Sequence, residues 1–120
     1  MPDASRQALA DHARAEAPNE SCGVLVLREG VAERYVPGVN KAASPYRFEL
    51  ELPDPEVWFL EDEGYELAVV HSHVSSPPRP SRTDVRHVGL WAGRPYVIYT
   101  LRTDELAAWR IGSGSIEPLP

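Results

Sequence analysis

The sequence predicts an α/β protein in which a mixed β-sheet carries helices on both faces. Apolar runs of strand length, rich in β-branched residues, recur along the chain, as at Leu67–His73. Segments with helical spacing of apolar residues lie between them, giving the order helix, two strands, helix, strand, helix, two strands. At 120 residues, with ordinary apolar and charged content, the chain is expected to fold as a single domain, residues 1–120.

The N-terminal segment Asp3–Ala17 is predicted to be the first helix. Asp3 or Ser5 can cap its N-terminus, and Pro18 ends it because proline cannot continue a helix. Its buried stripe is expected to follow the i, i+4, i+8 spacing of Leu9, Ala13 and Ala17.

Two strands are predicted to follow as a hairpin. Cys22–Leu27 is almost wholly apolar, which indicates a strand inside the sheet that is covered on both faces. Glu29-Gly30 is expected to form a tight turn, and Val31–Val36 to return as the second strand. Gly38–Pro45 is expected to be a loop, and Tyr46–Leu50, which alternates aromatic and charged residues, a short strand or extended segment.

The second half of the chain is predicted to contain two more helices. Asp54 can cap the first of them, Pro55 is tolerated in its first turn, and Gly64 ends it. Its inward face is expected to comprise Val57, Trp58, Phe59 and Leu60. The other helix is predicted over 81–92 and closed by Gly93, with an inward face of Val85, Val88 and either Leu90 or Trp91. The remaining strands are predicted at Tyr96–Leu101 and Leu106–Ile111, with a weak edge strand within Gly112–Pro120.

Composition excludes several classes of function. The net charge of −6 at pH 7 argues against non-specific binding to nucleic acid, which needs a basic surface. The single cysteine, Cys22, excludes an internal disulfide and fits a reducing compartment, so a cytoplasmic location is expected. Met1–Ser5 has neither the basic nor the apolar region of a signal peptide, and no apolar run reaches membrane-spanning length.

The chemistry is concentrated after the strand Leu67–His73. Residues i and i+2 of a strand share a face, so His71 and His73 are expected to present their imidazoles together. The prolines between residues 77 and 80 favour an extended loop that can bring Asp84 back toward them. Two imidazoles and one carboxylate form a zinc-type ligand set that leaves a fourth position open for water.

The full pattern H-x-H-x7-S-x-x-D, which ends in Ser81 and Asp84, resembles the motif of the JAMM metalloproteases. This family is also called MPN+ or Mov34/PAD1, and the resemblance is to its short, stand-alone prokaryotic type. Upstream, Glu20-Ser21-Cys22-Gly23 ahead of an apolar strand is similar to the glutamate region of the same family. The resemblance implies the MPN/JAB1 fold, a three-layer α/β arrangement like that of the cytidine deaminases.

The resemblance also implies roles and a substrate. Zinc on His71, His73 and Asp84 would lower the pKa of a water to about 7, and Glu20 would act as general base and then general acid. Ser81 would hydrogen-bond the oxyanion of the tetrahedral intermediate. Family members of this type act as deubiquitinase-like isopeptidases or peptidases, so the implied reaction is hydrolysis after the C-terminal Gly-Gly of a ubiquitin-like or sulfur-carrier protein.

Other interpretations compete with these. Ser81 to Asp84 also matches a capping box, S-x-x-D before an apolar helical stripe. The two roles can coexist in part, but Asp84 cannot coordinate zinc fully while it reaches back to the Ser81 amide, so we expect zinc binding to prevail. Glu20 can also be an exposed turn carboxylate, and Cys22 or His87 can support the metal or serve only packing and surface roles. At the level of function, the alternative is a non-catalytic MPN-type interaction module, and the oligomeric state, a homodimer included, stays open.

Overall fold

The structure is a computed structural model that describes residues 2–120. The helices are α1 (Asp3–Glu16) and α2 (Arg82–Arg86), with 3-10 helices at Pro55–Glu63 and Gly89–Trp91. The strands are β1 (Cys22–Arg28), β2 (Val31–Pro37), β3 (Val39–Asn40), β4 (Leu50–Glu51), β5 (Glu66–His73), β6 (Pro95–Thr100), β7 (Glu105–Gly112) and β8 (Ser115–Leu119). Within residues 2–120, no helix is long and apolar enough to cross a membrane.

Six strands form one mixed sheet in the order β2-β1-β5-β6-β7-β8. The β5–β6 pair is parallel, and the other neighbouring pairs are antiparallel. A parallel pair needs a crossover connection, and here α2 and the second 3-10 helix lie within it. The short pair β3–β4 forms a separate two-stranded sheet. The predicted mixed sheet and α/β class are confirmed, as are β1, β5, β6, β7 and the edge strand β8.

Each face of the sheet buries its own hydrophobic cluster, and so the protein has three layers. On one face Leu9 and Ala13 of α1 pack against residues such as Leu25 and Val70. On the other face Val57 and Trp91, from the two 3-10 helices, pack against a cluster that includes Val24, Val69 and Ile98. Residues alternate between faces along a strand, so His71 and His73 share the face of Val69, opposite α1.

The ends of two predicted helices differ from the structure. Helix α1 begins at Asp3 after Pro2 without a side-chain cap, and Ser5 is buried in its first turns, so the predicted cap is wrong. The segment 55–63 has the predicted Asp54 cap and a left-handed Gly64 at its end, but it is a 3-10 helix. Because a 3-10 helix has three residues per turn, Phe59 points to solvent, 63% exposed, and its predicted inward position is wrong.

The helix predicted over 81–92 is interrupted. It ends at Arg86, and the chain resumes as a 3-10 helix only at Gly89, whose φ of 54° is left-handed. Trp91 is therefore the inward residue, at 6% exposure, whereas Leu90 is 60% exposed. The strand predicted over Tyr46–Leu50 is also shorter than expected, because only Leu50 and Glu51 form ladder bonds and the preceding residues are irregular.

Candidate metal centre

Strand β5 brings the two histidines together, as the i, i+2 spacing predicts. His71 and His73 are buried, with 0% and 4% exposure, and their Nε2 atoms lie 3.2 Å apart. Pairing of β1 with β5 sets Cys22 opposite His71, which places the residues just before β1 beside the histidines. The histidine pair therefore sits at the carboxyl end of a central strand, enclosed by the rest of the sheet.

Asp84, from the first turns of α2, faces both histidines. Its Oδ1 lies 3.2 Å from Nε2 of His71, and its Oδ2 lies 3.2 Å from Nε2 of His73. The two Nε2 atoms are also 3.2 Å apart, so three contacts of 3.2 Å join the three side chains, with a different Asp84 oxygen toward each histidine. Ligands at about 2.0–2.2 Å from a tetrahedral zinc ion lie about 3.3–3.6 Å apart, so these contacts are close to the spacing that zinc requires.

The capping box between Ser81 and Asp84 is present, so Asp84 reaches back to the Ser81 amide while it also faces both histidines. The Ser81 N–H donates to Asp84 Oδ2 at 2.9 Å, and the Asp84 N–H donates to Ser81 Oγ at 3.0 Å. A carboxylate has two oxygens with about four acceptor sites, so the cap and the histidines can share it. Ser81 Oγ is the acceptor in the cap, and hence its own hydroxyl hydrogen stays free to donate from an exposed position.

Glu20 borders the same cluster from the β1 side. Its carboxylate is buried, at 3% residue exposure, and Oε1 lies 3.9 Å from His71 Nε2 without a hydrogen-bond partner in the described part of the chain. Glu20, His71 and His73 present ligand atoms within 4.8 Å of one another. The neighbouring Ser21 fixes this approach, since its N–H donates to Ser72 Oγ at 2.8 Å. Asp84 is nearer to the histidines than Glu20, so Asp84 has the better position for a ligand and Glu20 for a group just outside the metal's coordination sphere.

The donors and acceptors of the cluster call for a positive charge. His73 Nδ1 lies 2.9 Å from the Pro77 carbonyl, which can only accept, so Nδ1 carries hydrogen. In a neutral imidazole the Nε2 lone pair then faces Asp84 Oδ2, another acceptor, at 3.2 Å. A proton on His73 would satisfy that pair, whereas a metal ion would satisfy both histidines and Asp84 at once. The arrangement fits the ligand set of a zinc ion.

The pKa values of the cluster point the same way. Burial lowers the pKa of His71, which favours the neutral form that binds metals. Burial opposes ionisation of Asp84, but hydrogen bonds from His71 and His73 outweigh it and hold the pKa of Asp84 well below its usual range. Burial, and after it the Asp84 carboxylate, raises the pKa of Glu20 to about 8. A cation among the histidines would lower the pKa of Glu20 again and make it available as a base.

Two loops enclose the cluster. The proline loop (residues 74–80) follows β5, and three side chains donate to its successive carbonyl oxygens at Ser76, Pro77 and Pro78. The Asn40 loop (residues 38–52) carries Phe48, whose ring stacks on His71 with centroids 4.6 Å apart and planes 22° apart. Sequence reasoning missed Phe48 and Asn40 as site residues. Alternating aromatic and charged residues around Phe48 were the available signal that one side of this segment faces the protein.

The chain is similar in sequence to a known family and to several characterised proteins. The family described as prokaryotic homologues of the JAB domain matches residues 2–112. CysO-cysteine peptidases from Mycobacterium tuberculosis and Mycobacterium bovis are 35% identical over 121 aligned positions, which cover 94% of this chain and 82% of theirs. A tail tip assembly protein K from Escherichia phage N15 is 39% identical over 77 positions, covering 64% of this chain and 31% of that protein.

Two solved structures share the fold. A protein from Desulfitobacterium hafniense, solved in solution, is similar with a TM-score of 0.78 and 26% identity over 98% of this chain and 86% of that one. A JAB1/MPN domain protein from Archaeoglobus fulgidus is similar with a TM-score of 0.62 and 18% identity, over 98% of this chain and 91% of that one. Similarity to a JAB1/MPN protein confirms the fold expected from the histidine motif.

Proposed function

The chain belongs to the family of prokaryotic homologues of the JAB domain, and on that premise we propose that it is a zinc-dependent peptidase or isopeptidase. The bond cut is the one that follows the C-terminal Gly-Gly of a ubiquitin-like or sulfur-carrier protein. The observation that carries the proposal is the buried cluster of two imidazoles and a carboxylate, in which the two Nε2 atoms lie 3.2 Å apart and each lies 3.2 Å from one oxygen of Asp84.

His71, His73 and Asp84 are the proposed zinc ligands. Each histidine offers Nε2, and Asp84 offers Oδ1, since Oδ2 already accepts from the Ser81 N–H. Bound zinc would supply a Lewis acid for the scissile carbonyl and a water with a pKa near 7. The hydrogen bond from His73 Nδ1 to the Pro77 carbonyl fixes the tautomer that leaves Nε2 free to ligate.

Glu20 is the proposed proton carrier. Its Oε1 lies 3.9 Å from His71 Nε2, farther than the Asp84 oxygen at 3.2 Å, so Asp84 has the better position for a ligand and Glu20 for a group beside the bound water. From this position the carboxylate can take a proton from the attacking water and return it to the leaving amine. Its burial excludes bulk water as a competing proton acceptor.

Ser81 is the proposed donor to the oxyanion. Its Oγ accepts the Asp84 N–H, so the hydroxyl hydrogen is free to donate to the carbonyl oxygen as negative charge develops there. The capping box holds this donor rigidly at the start of α2. One residue pair thus positions both a metal ligand and a hydrogen-bond donor.

The substrate class comes from the relatives and from the shape of the site. The mycobacterial relatives are named CysO-cysteine peptidases, so the leaving group there includes cysteine, and a single amino acid is one leaving group to test here. The proline loop lies against His73 and carries three prolines, which makes a stiff wall beside the scissile bond. Glycine lets a backbone approach such a wall closely, which favours a Gly-Gly tail.

The test is hydrolysis of a sulfur-carrier protein whose Gly-Gly tail is extended by cysteine. Mass spectrometry should show loss of the added residue with zinc-loaded protein, no loss after zinc is removed by a chelator, and restored loss when zinc is returned. Cleavage that persists without metal would contradict the zinc mechanism. Full zinc content with no cleavage of any tail would instead favour a non-catalytic interaction module.

A further inference from the structure

The side chain of Asn40 makes four hydrogen bonds, which is the full capacity of a primary amide. Its Nδ2 donates to the carbonyl oxygens of Glu20 at 3.0 Å and of Arg47 at 3.1 Å. Its Oδ1 accepts from the backbone N–H groups of Ala42 and Glu49, both at 3.0 Å. Because two partners need a donor and two need an acceptor, no carboxylate, hydroxyl or hydrocarbon of similar size can replace this amide.

One of these bonds reaches the residue proposed as the proton carrier. The buried Oε1 of Glu20 has no hydrogen bond among residues 2–120, so the tip of this side chain does not fix its own position. Its backbone does so instead. The Glu20 N–H donates to the Ser44 carbonyl at 2.9 Å, and the Glu20 carbonyl accepts from Asn40. Both contacts come from the Asn40 loop.

Two of the other bonds fix the residues on either side of Phe48, whose ring stacks on His71. Phe48 lies between Arg47 and Glu49 in the chain. The Arg47 carbonyl accepts from Asn40 Nδ2, and the Glu49 N–H donates to Asn40 Oδ1. The Phe48 ring is thereby held over His71, with centroids 4.6 Å apart. The stacked ring shields the imidazole from water on that side and limits its rotation.

From these contacts we propose that Asn40 is a positioning residue for the hydrolysis. It sets the Glu20 backbone and the Phe48 ring in one fixed relation to the histidine pair, although its own side chain touches no metal ligand. The inference rests on the proposed function for its catalytic consequence. Its structural part, that the Asn40 side chain holds the Glu20 carbonyl beside the Ser44 contact to the Glu20 N–H, can be tested without any substrate.

The test compares Asn40→Asp with Asn19→Asp. Asn40→Asp keeps the oxygen that accepts from Ala42 and Glu49 but removes the amino group. The hydrogen bonds to the Glu20 and Arg47 carbonyls are therefore lost, and the other two remain. Asn19→Asp makes the same charge change one residue from Glu20, at a half-buried side chain outside the Asn40 loop. Backbone amide exchange, zinc content, the unfolding midpoint and steady-state kinetics are measured on each protein.

In Asn40→Asp we expect the amide of Ser21, which shares its peptide group with the Glu20 carbonyl, to exchange about tenfold faster, while that of Glu49 stays protected. Zinc content should stay near that of the wild type, and kcat should fall about 10- to 100-fold with KM unchanged, since misplacing a catalytic group acts on the chemical step. Asn19→Asp should match the wild type throughout. Asn40→Ala, which also loses the acceptor, should expose the Glu49 amide as well.

Equal Ser21 exchange in Asn40→Asp and the wild type would overturn the inference, whatever the kinetics. A lower unfolding midpoint with unchanged kcat would also overturn it, because that is the result of a structural role alone. If the wild type hydrolyses no Gly-Gly tail, the proposed function fails, and the exchange data still decide whether Asn40 positions Glu20.

Discussion

The two loops that flank the candidate metal centre are held in opposite ways. The Asn40 loop is held from within, by one amide that uses all of its hydrogen-bonding capacity. The proline loop is held from outside, by donors on three strands: Thr100 on β6, His73 on β5 and Trp109 on β7. Prolines lack an N–H, so this loop has few donors of its own with which to bind itself.

The difference separates two tasks. The Asn40 loop lies on the side of Glu20, where protons are proposed to move, and one amide supplies four of the hydrogen bonds that hold it. The proline loop governs the side of His73, where the metal is proposed to bind, and shares its support among several residues. Substitutions on the first side should therefore change turnover at constant zinc content, and those on the second should change zinc affinity in small steps.

The largest effect should come from the centre that both loops enclose. His71→Ala removes one of three proposed ligands, so the protein should lose its zinc, about one ion per chain, together with all hydrolysis. His12→Ala is the matched control, because His12 lies on α1 and contacts Tyr35 rather than the cluster, and it should keep both. Metal analysis that finds tight zinc in His71→Ala would place the zinc site elsewhere, and the two loops would then not flank it.

The next effect concerns the proline loop as a wall. If it is stiff and close to the metal, a carrier tail that ends in Ala-Ala should be cleaved far more slowly than one that ends in Gly-Gly. The measurement is kcat/KM for the two tails with the same leaving group. Equal values would show that the proline loop does not exclude side chains larger than glycine. The protein would then be a general peptidase.

The smallest effect should come from one anchor of the proline loop. Trp109→Phe keeps the ring but removes the Nε1 donor to the Pro78 carbonyl, while the bonds from Thr100 and His73 remain. We expect zinc affinity to fall by no more than about tenfold, the low end of the cost of losing an outer hydrogen bond. Trp58→Phe is the control, since Trp58 packs against Trp91. Competition with a chelator measures the zinc affinity of both variants. A loss of 100-fold or more in Trp109→Phe would contradict the idea that three side chains share the support of the proline loop.

The comparison also explains what the sequence could reveal. Prolines at 77, 78 and 80 are visible in the sequence, and the i, i+2 histidines follow from strand geometry, so the proline loop and the histidine pair were predictable. Asn40 was not, because its role depends on Glu20, twenty residues earlier, and on a loop whose path no periodicity encodes. Only a folded backbone shows that two carbonyls and two N–H groups converge on one amide.

The sequence alone does not show how the Asp84 carboxylate divides its two oxygens between the capping box and the histidines, because that depends on their directions in the fold. The errors in helix geometry have a common physical origin. The break in the helix at Gly89 and the outward turn of Phe59 both reflect 3-10 geometry, which helical periodicity of 3.6 residues does not anticipate. Strand positions were more reliable, since an apolar run in a covered sheet leaves few alternatives.

The division of labour between ligands and base is tested most directly by Glu20→Gln, with zinc content and kcat/KM measured on one preparation. The substitution keeps shape and burial but removes the proton acceptor. Zinc should stay at about one ion per chain, while kcat/KM falls by ~10²–10⁴, the usual contribution of general acid–base catalysis. Full activity would assign the base to another residue, and loss of zinc would make Glu20 a ligand; either result would contradict the account.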